Sequence, residues 1–230
     1  MICLFVVFSL LVVFGVSVLI VCNNVIKVNK VVINNSKIDK DIDIVFISDL
    51  HIGRNNKKKE LKRIIKKVNE IKGDYLLVGG DMVGSRPFKY YSVEEIKELL
   101  DSFNIKKRYF VKGNHDDYSF PLYDSFSILN DECVSLSDNV NLLGLKWEKE
   151  NNLDNLLDES KFNILLSHYP DRVSEYKKID LALGAHSHGN QINLPFCKFH
   201  HKEKYTRGLY TFKNNQKLYV NKGLGLVFSK

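Results

Sequence analysis

The chain lacks a cysteine framework. Its four cysteines are Cys3, Cys22, Cys133 and Cys197; none is part of a C-x-x-C pair, and the first two fall in or beside an apolar run, so no chemistry is assigned to them. A lone cysteine normally serves as a small core residue. The sequence shows no internal repeat and no heptad run, which removes solenoids and coiled coils from consideration. Aromatic residues do not interleave with the Lys-rich stretch 57–67, so the stacking platform that single-stranded nucleic acid needs is missing. There is no charged residue between Ile2 and Cys22, and no Lys or Arg precedes that segment.

That last absence says most about the N-terminus. An uncharged stretch of this length is enough helix to cross a hydrocarbon core of about 30 Å. Without a basic start or a small-residue exit it reads as an uncleaved single-pass anchor rather than a cleaved signal. The expected layout is an N-terminal transmembrane helix over 1–23, a linker or edge strand over 24–40, and one catalytic domain over 41–230. Lys27, Lys30, Lys37 and Lys40 follow the span, and the positive-inside bias then favours a cytoplasmic domain at the cell membrane.

The composition is otherwise that of a globular protein, 44% hydrophobic and 27% charged, with a formal charge of +7. Much of the excess lies in Lys57, Lys58, Lys59, Lys62, Arg63, Lys66 and Lys67, interleaved with Leu61, Ile64, Ile65, Val68 and Ile71 at helical spacing. These charges are expected to form the solvated face of an amphipathic helix, ahead of contact with anionic lipid, with nucleic acid last.

A β-branched run at 42–48 predicts a first strand, followed by a helix over 60–71, a strand over 75–78, a helix over 93–103 and a strand over 108–111. This β-α-β-α-β order implies a parallel sheet with right-handed crossovers. Further strands are expected at 133–136, 140–145, 163–166 and 181–183, with short helices near 153–157 and 172–177. Segments 208–212 and 218–220 read as an antiparallel hairpin. Two sheets packed face to face with helices outside accommodate this order.

Each strand exit delivers polar residues: Asp49-Leu50-His51, Gly79-Gly80-Asp81, Gly113-Asn114-His115-Asp116, Ser167-His168, and Gly184-Ala185-His186-Ser187-His188-Gly189. Parallel geometry brings the first three to one edge of a sheet. If all converge, they form a cluster of carboxylates, an amide and imidazoles able to bind metal. Strand pleating would put Asp49 and His51, and likewise His186 and His188, on a common side. Asp81 is the natural bridge between two cations about 3.5–4 Å apart. Oxygen and nitrogen donors without sulfur favour Mn²⁺, Fe²⁺ or Zn²⁺.

The ordered set D-x-H, G-D, G-N-H-D, H and A-H-x-H resembles that of the calcineurin-like metallophosphoesterases. The stretches 164–171, 186–195 and 219–225 look like the membrane-anchored branch, which includes pyrophosphatases of UDP-diacylglucosamine. The resemblance, over about residues 40 to 225, implies an α/β four-layer α/β/β/α sandwich. It implies one divalent metal on Asp49, His51, Asp81 and His188, and a second on Asp81, Asn114, His168 and His186. His115 matches the histidine that contacts the phosphoryl group and protonates the leaving oxygen.

Three departures stand out. An acidic residue that orients the catalytic histidine is replaced by Gly84, leaving Asp116 or water to serve His115. Ala185 replaces a glycine. The chain also ends at Lys230, where the branch continues into another strand, so one sheet edge is expected to be open.

The expected activity is two-metal hydrolysis of a phosphate ester, with a metal-bridging hydroxide as nucleophile. The alternative is a lipid-linked or nucleotide-sugar pyrophosphate as substrate. A non-enzymatic scaffold comes last, because a scaffold needs no such ligand set. The partners are then the substrate and the bilayer, not nucleic acid; oligomeric state is not legible.

Overall fold

The computed structural model describes residues 26–53, 56–84, 86–116, 121–148, 153–189 and 204–225. The anchor segment lies outside them, and among the described residues no helix is long and apolar enough to cross a membrane. The described residues from Asn34 onward form one compact unit. Residues 26–43 contribute no strand.

The first sheet is built from β1 (Ile44–Ile47), β2 (Tyr75–Val78), β3 (Lys107–Phe110) and β4 (Ser127–Ile128) in that spatial order. All its pairings are parallel. Its crossovers carry the helices α1 (Lys58–Asn69) and α2 (Val93–Asp101). Helix α1 starts without a side-chain cap and rests on buried Leu61, Ile64, Ile65 and Val68. Burying each such side chain contributes about 1.5–3 kcal/mol, against roughly 1 kcal/mol for a cap, so packing decides this helix. Lys62, Arg63 and Lys66 are exposed on its outer face. Helix α2 begins instead with a capping box between Ser92 and Glu95.

The second sheet contains β5 (Glu132–Ser137), β6 (Val140–Gly144), β7 (Phe162–Leu166), β8 (Leu181–Gly184), β9 (Gly208–Thr211) and β10 (Lys217–Val220), ordered β5-β6-β7-β8-β10-β9. Strands β6, β7, β8 and β10 run parallel, and β5 and β9 close the edges antiparallel. The sheets face each other. The Phe46 and Tyr219 rings meet edge to face at 6.4 Å, and the Tyr75 hydroxyl donates to the carbonyl of Leu136.

The outer face of the second sheet differs from expectation. In place of helices it carries two 3-10 segments, Asp154–Leu156 and Pro170–Glu175. Segments of three and six residues are too short to repay α-helix nucleation. They still supply a lid: Leu157, Val173 and Tyr176 pack with Leu143, Leu165 and Leu218 in one buried cluster. The layer is present in position but is not α-helical among the described residues.

Candidate metal centre

Asp49 and His51 lie beyond the end of β1, and pleating does not align them. Both adopt left-handed backbone, with φ of 53° and 44°. Asp81 (54°), His186 (67°) and His188 (49°) do the same. Such conformations are uncommon in non-glycine residues and cost of order 1–3 kcal/mol each, and five of the eight positive-φ non-glycine residues among those described gather here. The loops are pinned by main-chain bonds, Asp49 N to Gly80 O (2.9 Å) and His51 N to Asp81 O (3.0 Å). Gly80 is obligatory, since a Cβ there would stand 2.5 Å from His168 Nδ1.

All eight sequence-predicted residues come to this edge. Around Asp49 Oδ1 stand His188 Nε2 at 3.4 Å and His51 Nε2 at 4.0 Å; the two imidazole nitrogens face each other at 3.1 Å. A second group contains His168 Nε2, 3.1 Å from Asn114 Oδ1 and 3.1 Å from His186 Nδ1. Asp81 Oδ2 lies between the groups, 3.6 Å from His51 Nε2 and 3.5 Å from His168 Nε2. His115 stands at the side, its ring edge to face with His51 at 5.1 Å and its backbone N–H donating to Asp81 Oδ1 at 2.9 Å.

These donors fit cations. Asp49 Oδ1 is fully buried without a hydrogen-bond partner, a costly arrangement unless a ligand satisfies it. His168 Nδ1 donates to the carbonyl of Gly79 at 2.8 Å, which aims Nε2 inward as metal-binding imidazoles require. Ser48 Oγ donates to the other Asp49 oxygen at 2.6 Å, fixing the carboxylate plane. Three triads, Asp49–His51–His188, His51–Asp81–His115 and Asp81–His168–His186, have ligand atoms within 4.8 Å of one another.

Electrostatics agree with an unfilled charge demand. Burial, aided by the Asp81 charge, pushes Asp49 up to about 7. Burial drives His51 down to about 3 and His188 down to about 4, so both imidazoles are uncharged at neutral pH. Burial opposes the charged forms of Asp81 and His168 as well, but their mutual hydrogen bond and attraction win. Asp81 is held below the usual carboxylate range, and His168 is raised to about 9.

Asp116 does something the sequence did not disclose. Its Oδ2 accepts from the N–H groups of Asp81 (2.6 Å) and Gly113 (2.9 Å), and its Oδ1 from Val83 N–H (3.1 Å) and the Tyr123 hydroxyl (3.2 Å). These bonds clamp the Asp81 loop to the Gly113 loop. Gly84 lies against His51, whose carbonyl would be 3.2 Å from a Cβ. Ser48 escaped the sequence reading, and Asp116, named there only as a candidate partner for His115, also clamps two loops through its place in the Gly-Asn-His-Asp run.

A family model described as calcineurin-like phosphoesterase matches residues 42–190. An uncharacterized metallophosphoesterase of Helicobacter pylori is 31% identical over 224 residues, covering 86% of this chain and 58% of its own length. The chain thus spans less than two thirds of that relative. A UDP-2,3-diacylglucosamine pyrophosphatase, LpxG of Chlamydia muridarum, is 28% identical over 256 residues, covering 79% of this chain and 77% of its own. A crystal structure of a dimetal phosphatase from Danio rerio overlays with a TM-score of 0.50 at 10% identity, covering 80% and 88% of the two chains. That likeness concerns the fold alone.

Proposed function

This chain belongs to the calcineurin-like phosphoesterase family, and from that premise we propose that it hydrolyses phosphate esters with two divalent cations held by the converging strand exits. Asp49, His51, Asp81 and His188 would hold one cation, and Asp81, Asn114, His168 and His186 the other. Mn²⁺, Fe²⁺ and Zn²⁺ suit a set of oxygen and imidazole donors. When bound, the cations would acidify water and neutralise phosphoryl charge. The observation that carries the reading is Asp81 Oδ2 lying 3.6 and 3.5 Å from imidazole nitrogens of both groups.

The protein's own groups divide the remaining work. His115, half-buried at the side of the cluster, would contact the phosphoryl group and give a proton to the leaving oxygen, a contribution typically worth 10²–10⁴ in rate. Asp116 keeps its backbone in place by holding the Asp81 and Gly113 loops together. The left-handed turns at Asp49, Asp81 and His186 preorganise donors toward one point, so orientation is settled before substrate arrives.

A pyrophosphate substrate is the second reading, supported by the similarity to the Chlamydia pyrophosphatase. The uncharged segment 2–22 supports a single-pass anchor, and the lysines after it a cytoplasmic domain; both belong to this proposal. The full chain in detergent with Mn²⁺ is to be assayed against a phosphomonoester, a phosphodiester and a UDP-sugar pyrophosphate. Cation-dependent release of phosphate or of a nucleoside monophosphate is expected. Absence of turnover with every class would overturn the enzymatic reading. Periplasmic labelling of a domain cysteine in intact cells would overturn the orientation.

A further inference from the structure

Strand β1 is an edge strand of the first sheet, so the carbonyls on its outer side have no neighbour within that sheet. Phe46 O on that side, and Ser48 O and Asp49 O just beyond the strand, are nonetheless satisfied, by a segment that leaves β10 of the second sheet. Asn221 Nδ2 donates to Phe46 O at 3.1 Å, Leu224 N–H to Ser48 O at 3.1 Å, and Gly225 N–H to Asp49 O at 2.7 Å. Asn221 Oδ1 also accepts from Gly223 N–H at 2.9 Å, shaping the turn. Its backbone N–H meanwhile donates to Gly184 O at 2.8 Å, at the exit of β8. One residue thus grips the strand that leads to Asp49 and His51 through its side chain, and the strand that leads to His186 and His188 through its backbone.

The two glycines of this segment show how closely it presses on the ligands. A Cβ on Gly223, whose φ is 74°, would lie 2.9 Å from Asp49 Cβ and 3.1 Å from His188 Nδ1. A Cβ on Gly225 would lie 2.5 Å from Asp49 O. The second donor group is secured differently at two of its members: Asn114 and His168 emerge from β3 and β7, and His168 is anchored on Gly79 O, while His186 shares the β8 exit with His188. None of these restraints involves the Asn221 side chain.

We propose that residues 221–225 form a latch across the two sheets, and that Asn221 is a positioning residue for the cation position formed by Asp49, His51 and His188, with little effect on the one formed by Asn114, His168 and His186. The proposal rests on the two-cation reading above. Losing the side chain releases Phe46 O and Gly223 N–H, and the Asp49 loop is then free to drift from His188. Outer-shell changes of this kind typically cost 10–100-fold in metal affinity.

The test is Mn²⁺ titration of the full chain in detergent by calorimetry and by paramagnetic resonance of bound Mn²⁺, with melting of the cation-free protein alongside. His188→Gln and His186→Gln identify which binding step belongs to which position. Asn221→Ala is compared with Asn69→Ala, a control far from the cluster whose side chain also makes two main-chain bonds, to Ser102 O at 2.7 Å and from Asn104 N–H at 2.8 Å. Both variants should melt lower.

Only Asn221→Ala should weaken the His188-dependent step, by about 10–100-fold, and abolish the spin coupling between neighbouring Mn²⁺ ions. Asn221→Asp, which keeps the acceptor for Gly223 but not the donor for Phe46, should fall between. Equal weakening of both steps, or none, in a protein that still binds two cations would overturn the latch. A wild-type chain that binds no pair of cations would instead overturn the reading beneath it.

Discussion

Cation binding should expel protons, and the number should change with pH in a way the buried groups dictate. Asp49 is raised to about 7 and His168 to about 9, while His51 and His188 sit at about 3 and 4. At pH 6 an acid with the Asp49 value is about nine-tenths protonated and His168 is almost fully so; the other two are neutral imidazoles with no second proton to lose. Ligands must be deprotonated to bind metal. Loading should therefore release about two protons per chain from these groups at pH 6 and about one at pH 8, where Asp49 has already ionised. Calorimetric titration with Mn²⁺ in buffers of different ionisation enthalpy gives the count directly. In Asp49→Asn the difference between the two pH values should vanish. A count near zero at pH 6, or one that does not fall by pH 8, would refute the claim that a buried carboxylic acid and a buried imidazolium stand where the cations go.

Other substitutions separate the roles. Asp81→Ala should lose both cations along with turnover, whereas His115→Ala should keep both by metal analysis and lose on the order of 10²–10⁴ in rate; loss of cations in the latter would remove His115 from its assigned role. Gly113→Ala would force a methyl group onto the Asp81 carboxylate, so it should destabilise the fold by about 1–3 kcal/mol in a melting experiment and weaken cation binding. Without cations, stability should fall as pH rises from about 7 to 9. His168 is raised above its unfolded value, so its contribution is complete below about 6.5 and is lost through about 9; melting temperatures across that range, flat once Mn²⁺ is added, check the sign. Replacing Lys62, Arg63 or Lys66 singly with Gln should change stability by no more than about 0.5 kcal/mol each, since they are solvent-exposed on α1.

The strands that carry the cluster were legible because each is a short apolar run closed by polar residues. Leu76, Leu77 and Val78 of β2, for example, are completely buried, as an uninterrupted β-branched and leucine run suggests. Strand β4 was not legible: Ser127 and Ile128 are both exposed, and two residues leave no periodicity to detect. The helices expected near 153–157 and 172–177 are 3-10 segments, because apolar spacing alone does not distinguish one helical turn from another.

At the site, residue types and order pointed to the right edge of the sheet, but the reasoning from pleating did not hold. Asp49 and His51 share a side through left-handed turns beyond the strand, a property of the loop backbone that no side-chain period records. The bonds from Asp81 and Val83 to Asp116, and the three from 221–225 to β1 and the loop after it, join positions far apart in sequence. Such long-range ties have no local signature.

Anomalous diffraction from crystals of the chain soaked in Mn²⁺ addresses the central claim most directly. Two peaks about 3.5–4 Å apart, one beside Asp49, His51 and His188, the other beside Asn114, His168 and His186, with Asp81 between them, is the predicted result. A single peak, or none at this edge of the sheets under saturating Mn²⁺, would contradict it.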